Sequence, residues 1–311
     1  MIYDKKIAIL LWLYHTDLSE EFYGLLKGCS DLVDIHLSLC EDNDNTISLK
    51  TLNKLNNIKS ISYYPNRGAD IYSFLNELPK INNEYFIKLH SKKSRWGTNM
   101  HCNWRHILLD SFIGDRDILL RNLKILSSNT GYLSCKPLTY TNKENTNSEK
   151  IKELLDIIGY PNIRNKNRRF SGGNMFGGNT KLFQKIFLPH LDKICNLISN
   201  ETGSVKDIIS GTYCHSLERI FGYIGNLHGY RFSYAAPSTF KIITPSADRN
   251  LLNFRIINNK YIYSTDQPNI YGNIISMNKR FFRVKWLHVP DTEDQYYVPT
   301  GKSFINTNYI S

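Results

Sequence analysis

Between Tyr85 and Trp96 the chain reads Y-F-I-K-L-H-S-K-K-S-R-W, an apolar run that passes quickly into Lys88, His90, Lys92, Lys93 and Arg95. Side chains alternate along a strand, so Lys88 and His90 share one face at its carboxyl end. Open α/β sheets bind ligands outside the carboxyl ends of their strands. Cations gathered there, on what reads as an accessible strand end and loop, suit an anion, and a diphosphate best of all. The competing reading is a solvated basic loop; the strand end and the segments below favour phosphate.

Three further segments carry residue types of the same kind. Asn66-Arg67-Gly68-Ala69-Asp70 follows a strand and opens a helix, so Gly68 permits a tight turn and the helix start offers free N–H groups. Arg67 suits phosphate and Asp70 suits sugar or ribose hydroxyls, although N-R-G is also ordinary turn chemistry. In Phe170–Asn179, paired glycines alternate with apolar residues, which indicates backbone packed closely on a ligand or on a neighbouring element. This is not G-x-G-x-x-G, so a dinucleotide fingerprint is rejected. On a helix, His215, Glu218 and Arg219 occupy adjoining faces, and Glu218 or His215 could deprotonate a hydroxyl. A surface helix with local ion pairs is the alternative.

Other chemistries are disfavoured. Asp115-Arg116-Asp117 matches D-x-D, but Gly114 precedes it and Ile118-Leu119-Leu120 follows, which is how a helix start reads. No HExxH, Walker A, G-x-S-x-G or zinc-type Cys/His pattern occurs. Six scattered cysteines without a C-x-x-C pair are expected to be free thiols in a reducing compartment. The formal charge of +11 draws anions in general, and the cations are spread without a basic tail or basic–aromatic module. Ile7–Tyr14 is too short for a membrane span and lacks a cleavage pattern, so it is expected to be a buried first strand of a cytosolic protein.

The elements that must position these residues alternate. Strands are expected at Lys6–Tyr14, Val33–Cys40, Ile58–Tyr64 and Tyr85–His90, with helices at Ser19–Lys27, Ile47–Leu55 and Ala69–Leu78. Such βαβ units predict a mostly parallel sheet flanked by helices, an α/β fold. Helices follow at Trp104–Phe112 and Asp117–Leu126, and a strand at Gly131–Cys135. An insertion over Lys136–Arg169 carries one helix, Ser148–Ile158, and two long helices are expected at Lys181–Ile198 and Ser204–Tyr223. We divide the chain into a 1–237 domain and a small β-rich extension over 238–311, where short Tyr/Ile/Phe runs are broken by Pro, Asn and Asp.

N-R-G-A-D-I-Y-S-F at 66–74, Y-F-I-K-L-H-S-K-K-S at 85–94, W-R at 104–105, F-S-G-G-N-M-F at 170–176 and H-S-L-E-R-I-F-G-Y at 215–223 occur in a fixed order. Together with the opening I-A-I-L-L-W-L-Y-H they resemble the rhamnan synthesis protein F family of bacterial cell-wall, capsule and O-antigen glycosyltransferases. The resemblance covers about residues 5–230. It implies a GT-A-like, nucleotide-sugar-dependent transferase. In that fold D-x-D usually ends a central strand and holds a divalent ion; here the strand end reads Lys88-Leu89-His90. The expectation is therefore catalysis without a metal or other cofactor, the cations meeting the diphosphate directly. One departure is Ser210-Gly211-Thr212, where the family tends to carry Asp-Gly-Thr.

The expected activity is inverting transfer of rhamnose or another hexose from a dTDP- or UDP-linked donor to a growing surface polysaccharide. Asn66, Arg67, Gly68, Asp70, Lys88, His90, Lys92, Lys93 and Arg105 are the expected donor-binding residues. Gly172, Gly173 and Asn174 line the sugar and acceptor pocket, and Glu218 or His215 is the base. The implied acceptor is a lipid-linked glycan, with peripheral contact to the inner membrane face and no nucleic-acid partner. Two other classes stay open: a non-catalytic glycan-binding protein and a basic nucleic-acid-binding protein.

Overall fold

A computed structural model describes residues 5–93, 100–142, 147–163, 168–201 and 211–237, with the backbone alone for 100–104 and for the strands of the tail. Two compact units emerge, Met1–Lys92 with Phe112–Ala235, and Lys93–Ser111 with Ala236–Ser311.

The first unit opens with β1 (Ile7–Leu13), α1 (Ser19–Leu26), β2 (Val33–Cys40), α2 (Thr46–Leu52), β3 (Ile58–Tyr64), α3 (Ala69–Glu77) and β4 (Tyr85–His90). Most of α4 (Met100–Ile113) falls in the second unit; the first continues with α5 (Arg116–Leu126), β5 (Thr130–Cys135), β6 (Thr139–Thr141), α6 (Ser148–Ile157), β7 (Arg169–Ser171) and β8 (Phe176–Asn179). The unit closes with α7 (Thr180–Phe187), α8 (Leu191–Ile198), α9 (Tyr213–Tyr223) and β9 (Arg231–Ala235). Its main sheet has the order β3-β2-β1-β4-β8-β5-β9. Among the described residues only β8 runs antiparallel to its neighbours, so the sheet is mostly parallel, as expected.

The strand order steps outward from β1 to β3, then returns to the other side of β1 at β4. Open α/β sheets take their ligands at such a reversal, which here falls at the carboxyl ends of β1 and β4. β1 is buried on both faces, as a strand covered by helices must be. Ala8 and Leu10 face the core beneath α3, α7, α8 and α9, which holds the rings of Phe74, Phe86, Phe176, Phe183, Phe187 and Phe221. Edge-to-face pairs dominate, for example Phe86 with Phe183 at 4.9 Å between centroids.

Glycine lets β8 enter this crowded centre. A Cβ at Gly178 would press on the rings of Phe86 and Phe183, at 2.8 and 3.0 Å. Sequence and structure differ at two helices. The expected Lys181–Ile198 helix breaks into α7 and α8 at Leu188–His190, because Pro189 lacks the N–H that a continuous helix would use. The helix expected from Ser204 begins at Tyr213, where Gly211 adopts φ +66° and the Thr212 side chain caps it by accepting from the His215 N–H. Residues 202–210 lie outside the described set.

Asp115 caps α5, its carboxylate accepting from the Ile118 N–H at 2.8 Å, and Arg116 pairs with Asp31. The Asp115-Arg116-Asp117 triplet is thus a helix start, as its sequence context predicts. Cys29, Cys40, Cys135 and Cys214 are buried free thiols and Cys195 is half-buried; Cys102 lies outside the described side chains. Among the described residues no helix is long and apolar enough to cross a membrane.

In the second unit the backbone from β10 (Phe240–Ile243) through β11 (Leu251–Ile257), β12 (Tyr261–Ser264), β13 (Tyr271–Met277), β14 (Phe282–Trp286), β15 (Gln295–Thr300) and β16 (Ser303–Asn306) forms a closed barrel. Successive strands are antiparallel, and β10 meets β16 in parallel. An odd number of alternating strands requires that parallel seam. The β-rich tail expected from the sequence is therefore an edge-free barrel.

Candidate active site

The site begins at the head of α3. Gly68 holds φ +58° and Ala69 φ +50°, a left-handed turn that glycine tolerates best. The Gly68 N–H donates to the Glu201 carbonyl at 2.7 Å. This turn leaves Arg67 exposed and Asn66 half-buried, and it aims Asp70 inward over β4.

Lys88 sits mid-strand opposite Leu10 of β1 and Phe176 of β8. It is 1% exposed, so it is no loop lysine, contrary to the accessible strand end expected from the sequence. Its ammonium donates to Asp70 Oδ2 and to the Asn174 carbonyl at 2.8 Å. It also lies over the faces of Phe74 and Phe176, 5.7 and 5.8 Å from the centroids. Asn174 adds a second donor to the same carboxylate oxygen, Nδ2 to Asp70 Oδ2 at 2.7 Å. A buried ammonium is tolerable only with such partners.

His90 follows on the same face, buried, with Nδ1 3.3 Å from Asp70 Oδ2 but without hydrogen-bond geometry. Burial holds its pKa down at about 3, Lys88 and Lys92 acting in the same sense and Asp70 against it. Burial would raise the Asp70 carboxyl, but His90, Lys88 and Lys92 hold it at about 2. At neutral pH His90 is an uncharged imidazole, so the Lys88 ammonium is the charge that balances Asp70. Burial pushes the Lys88 pKa down, opposed by Asp70 and Glu218. Lys92 is half-buried at the strand's exit.

The Gly172-Gly173-Asn174 turn joins this cluster to α9. Gly173 (φ +83°) and Asn174 (φ +55°) are both left-handed. The Gly173 N–H donates to Glu218 Oε1 at 2.9 Å. His215 Nδ1 meets Thr212 Oγ1 at 2.7 Å, which fixes the imidazole at the start of α9. Arg219 is buried over the Phe170 ring and donates to the His215 carbonyl, so this helix is no charged surface helix.

Asp70, Lys88, His90, Gly172, Gly173, Asn174 and Glu218 thus meet in one place, with Lys92 at its edge. Asn66 and Arg67 stand on the turn that delivers Asp70. Lys93 and Arg105 belong to the second unit, described by itself. Several residues that build the site carry no sequence signal. Glu201 accepts from the Tyr213 and Cys214 N–H groups at the start of α9, and Asn147 accepts from the Thr212 N–H. Among the described residues no group of three or more His, Cys, Asp or Glu side chains is arranged to hold a metal.

The fold is thus a mostly parallel α/β sheet with Lys88, His90 and Asp70 gathered where its strand order reverses. The profile of the rhamnan synthesis protein F family matches residues 1–230, and the chain belongs to that family. No curated protein matches the sequence. Among solved structures the chain is similar to S. aureus TarS 1-349, at 12% identity and a TM-score of 0.41. That match covers 75% of this chain and 58% of the TarS chain, so the protein spans little more than half of that relative.

Proposed function

We propose that the chain is a glycosyltransferase of polysaccharide synthesis, moving a sugar from a dTDP- or UDP-linked donor to a growing, lipid-linked cell-surface glycan. Family membership supports the class. The observation that carries the reading is the Asp70–Lys88–His90 cluster at the reversal of strand order, facing a turn that Glu218 holds by its Gly173 N–H. The donor diphosphate lies across the carboxyl ends of β1 and β4. Lys88, buried beneath it, and Lys92, at its edge, offset the charge that develops as the bond from the anomeric carbon to the diphosphate breaks. Neutral His90 adds a polar ring without a further charge.

Among the described residues of the site, the donor set does not suit a divalent ion. Where a GT-A strand end carries two carboxylates, this one carries Lys88 and His90, and the nearby Asp70 oxygen already takes an ammonium and an amide. In our reading the reaction therefore runs through side chains alone. The acceptor hydroxyl attacks the anomeric carbon on the face away from the diphosphate and gives its proton to Glu218, with His215 as the alternative base. A single displacement of this kind inverts the anomeric centre. The +11 charge suits peripheral contact with the anionic cytoplasmic face of a membrane.

The test is release of nucleoside diphosphate from dTDP-rhamnose and UDP-hexoses, in EDTA, with and without a glycan acceptor. Release that rises with acceptor supports the transferase. Failure to bind or cleave every nucleotide sugar overturns it in favour of a glycan-binding protein without catalysis.

A further inference from the structure

Resting on the transferase reading, we propose that the exposed ring of Tyr140 is the stacking platform for the acceptor sugar. The three residues of the site turn have three different neighbours, in order. Gly172 meets Tyr140, Gly173 meets Glu218, and Asn174 meets Lys88 and Asp70. The turn therefore brings a ring, a carboxylate and a buried cation to three successive residues, the three kinds of group that an acceptor sugar, its base and a leaving diphosphate need.

Tyr140 lies on β6, paired with Phe170 of β7, and is 46% exposed. A Cβ at Gly172 would overlap carbons of the Tyr140 ring. Gly172 is not among the positive-φ glycines, so the ring, and not the backbone conformation, is what requires glycine there. The ring is thus packed from behind by the Gly172 backbone and tilted against Phe170, centroids 6.2 Å apart, while much of it faces solvent. Burial, Cys135 and Glu218 all push the phenol pKa upward, so the hydroxyl is neutral at physiological pH.

A pyranose presents an apolar face of C–H groups and a polar rim of hydroxyls. An exposed aromatic ring accepts the face, and a nearby carboxylate accepts from the rim. A ring set beside Glu218 binds a sugar with one hydroxyl directed at the proposed base. An isolated exposed tyrosine would need no explanation. A glycine cleared to seat this one, in the turn that also holds Glu218 and Lys88, supplies the reason.

The probes are methyl α-L-rhamnopyranoside and methyl β-D-glucopyranoside, followed by saturation-transfer NMR on the full chain, with dTDP and UDP titrated by calorimetry in the same samples. We expect transfer from aromatic protons to sugar ring protons in the wild type. Tyr140→Phe should hold the glycosides within about twofold of wild type, and Tyr140→Ala should weaken them about five- to tenfold, the size of one ring contact. Nucleoside diphosphate affinity should stay the same in both. If Tyr140→Ala does not fold, Tyr140→Leu, which keeps apolar bulk but no ring, gives the same comparison. Wild-type binding without aromatic transfer, no glycoside binding, or undiminished binding after loss of the ring overturns the proposal. Ring-dependent glycoside binding with no nucleotide binding would preserve the platform and defeat the transferase reading.

Discussion

Replacing Lys88 with Met tests whether the ion pair under the site is a structural necessity. Methionine fills the space between Phe74 and Phe176 and keeps sulfur against the rings, so packing is nearly conserved. The loss is electrostatic: Asp70 loses its ammonium partner while keeping the Asn174 amide, and the Asn174 carbonyl loses its donor. Removing one member of a buried pair costs about 3–5 kcal/mol, because the other charge is left uncompensated. The double variant Lys88→Met/Asp70→Asn removes both charges and leaves only lost hydrogen bonds, about 1–2 kcal/mol. The double variant should thus be about 2–3 kcal/mol more stable than Lys88→Met alone, well above the additivity error. Urea unfolding at neutral pH for the four proteins supplies the measurement. If Lys88→Met alone matches the wild type in stability, Lys88 does not balance a buried Asp70 charge and the reasoning is wrong.

His90 gives a pH signature. Its folded pKa of about 3 lies below the ordinary 6.5, so below pH 6.5 the unfolded chain takes up a proton that the folded chain refuses. Stability should therefore fall as pH drops, by up to about 1.4 kcal/mol per pH unit from this one group. Asp70 acts in the same direction, its stabilisation being present above pH 3.8 and lost towards pH 2. A His90→Gln protein whose stability still falls as steeply below pH 6.5 would contradict the assignment. Glu218→Gln keeps an oxygen for the Gly173 N–H, so melting temperature and nucleotide affinity should hold while transfer slows by about 10²–10⁴-fold. Normal transfer in that variant would move the proton to His215. Gly178→Ala forces a methyl against Phe86 and Phe183 and should cost about 1–3 kcal/mol, read by denaturant midpoint. An unchanged midpoint would mean that the strand can shift within its sheet.

The parallel half of the sheet is legible because its strands and helices carry strong local periodicity. Val33–Cys40, Ile58–Tyr64 and Tyr85–His90 match the observed strands end to end. What escaped depends on distant partners. β8 is four residues long with two glycines, and its glycines make sense only against Phe86 and Phe183, remote in sequence. The site segments are visible as cation-rich or glycine-rich pieces, but their pairing is not. Lys88 meets Asp70 across 18 residues and Asn174 across 86. That pairing turns an apparently solvent-facing lysine into a buried one. Glu201, Asn147 and Tyr140 have ordinary local surroundings, and only the turns they support or cover give them meaning.

The most direct test of the central claim is calorimetry of dTDP and UDP in EDTA and again with Mn²⁺ or Mg²⁺. A strand end of Lys88 and His90, with Asp70 already bonded to an ammonium, should bind nucleoside diphosphate equally well in both. Binding that vanishes in EDTA and returns with Mn²⁺ would contradict it.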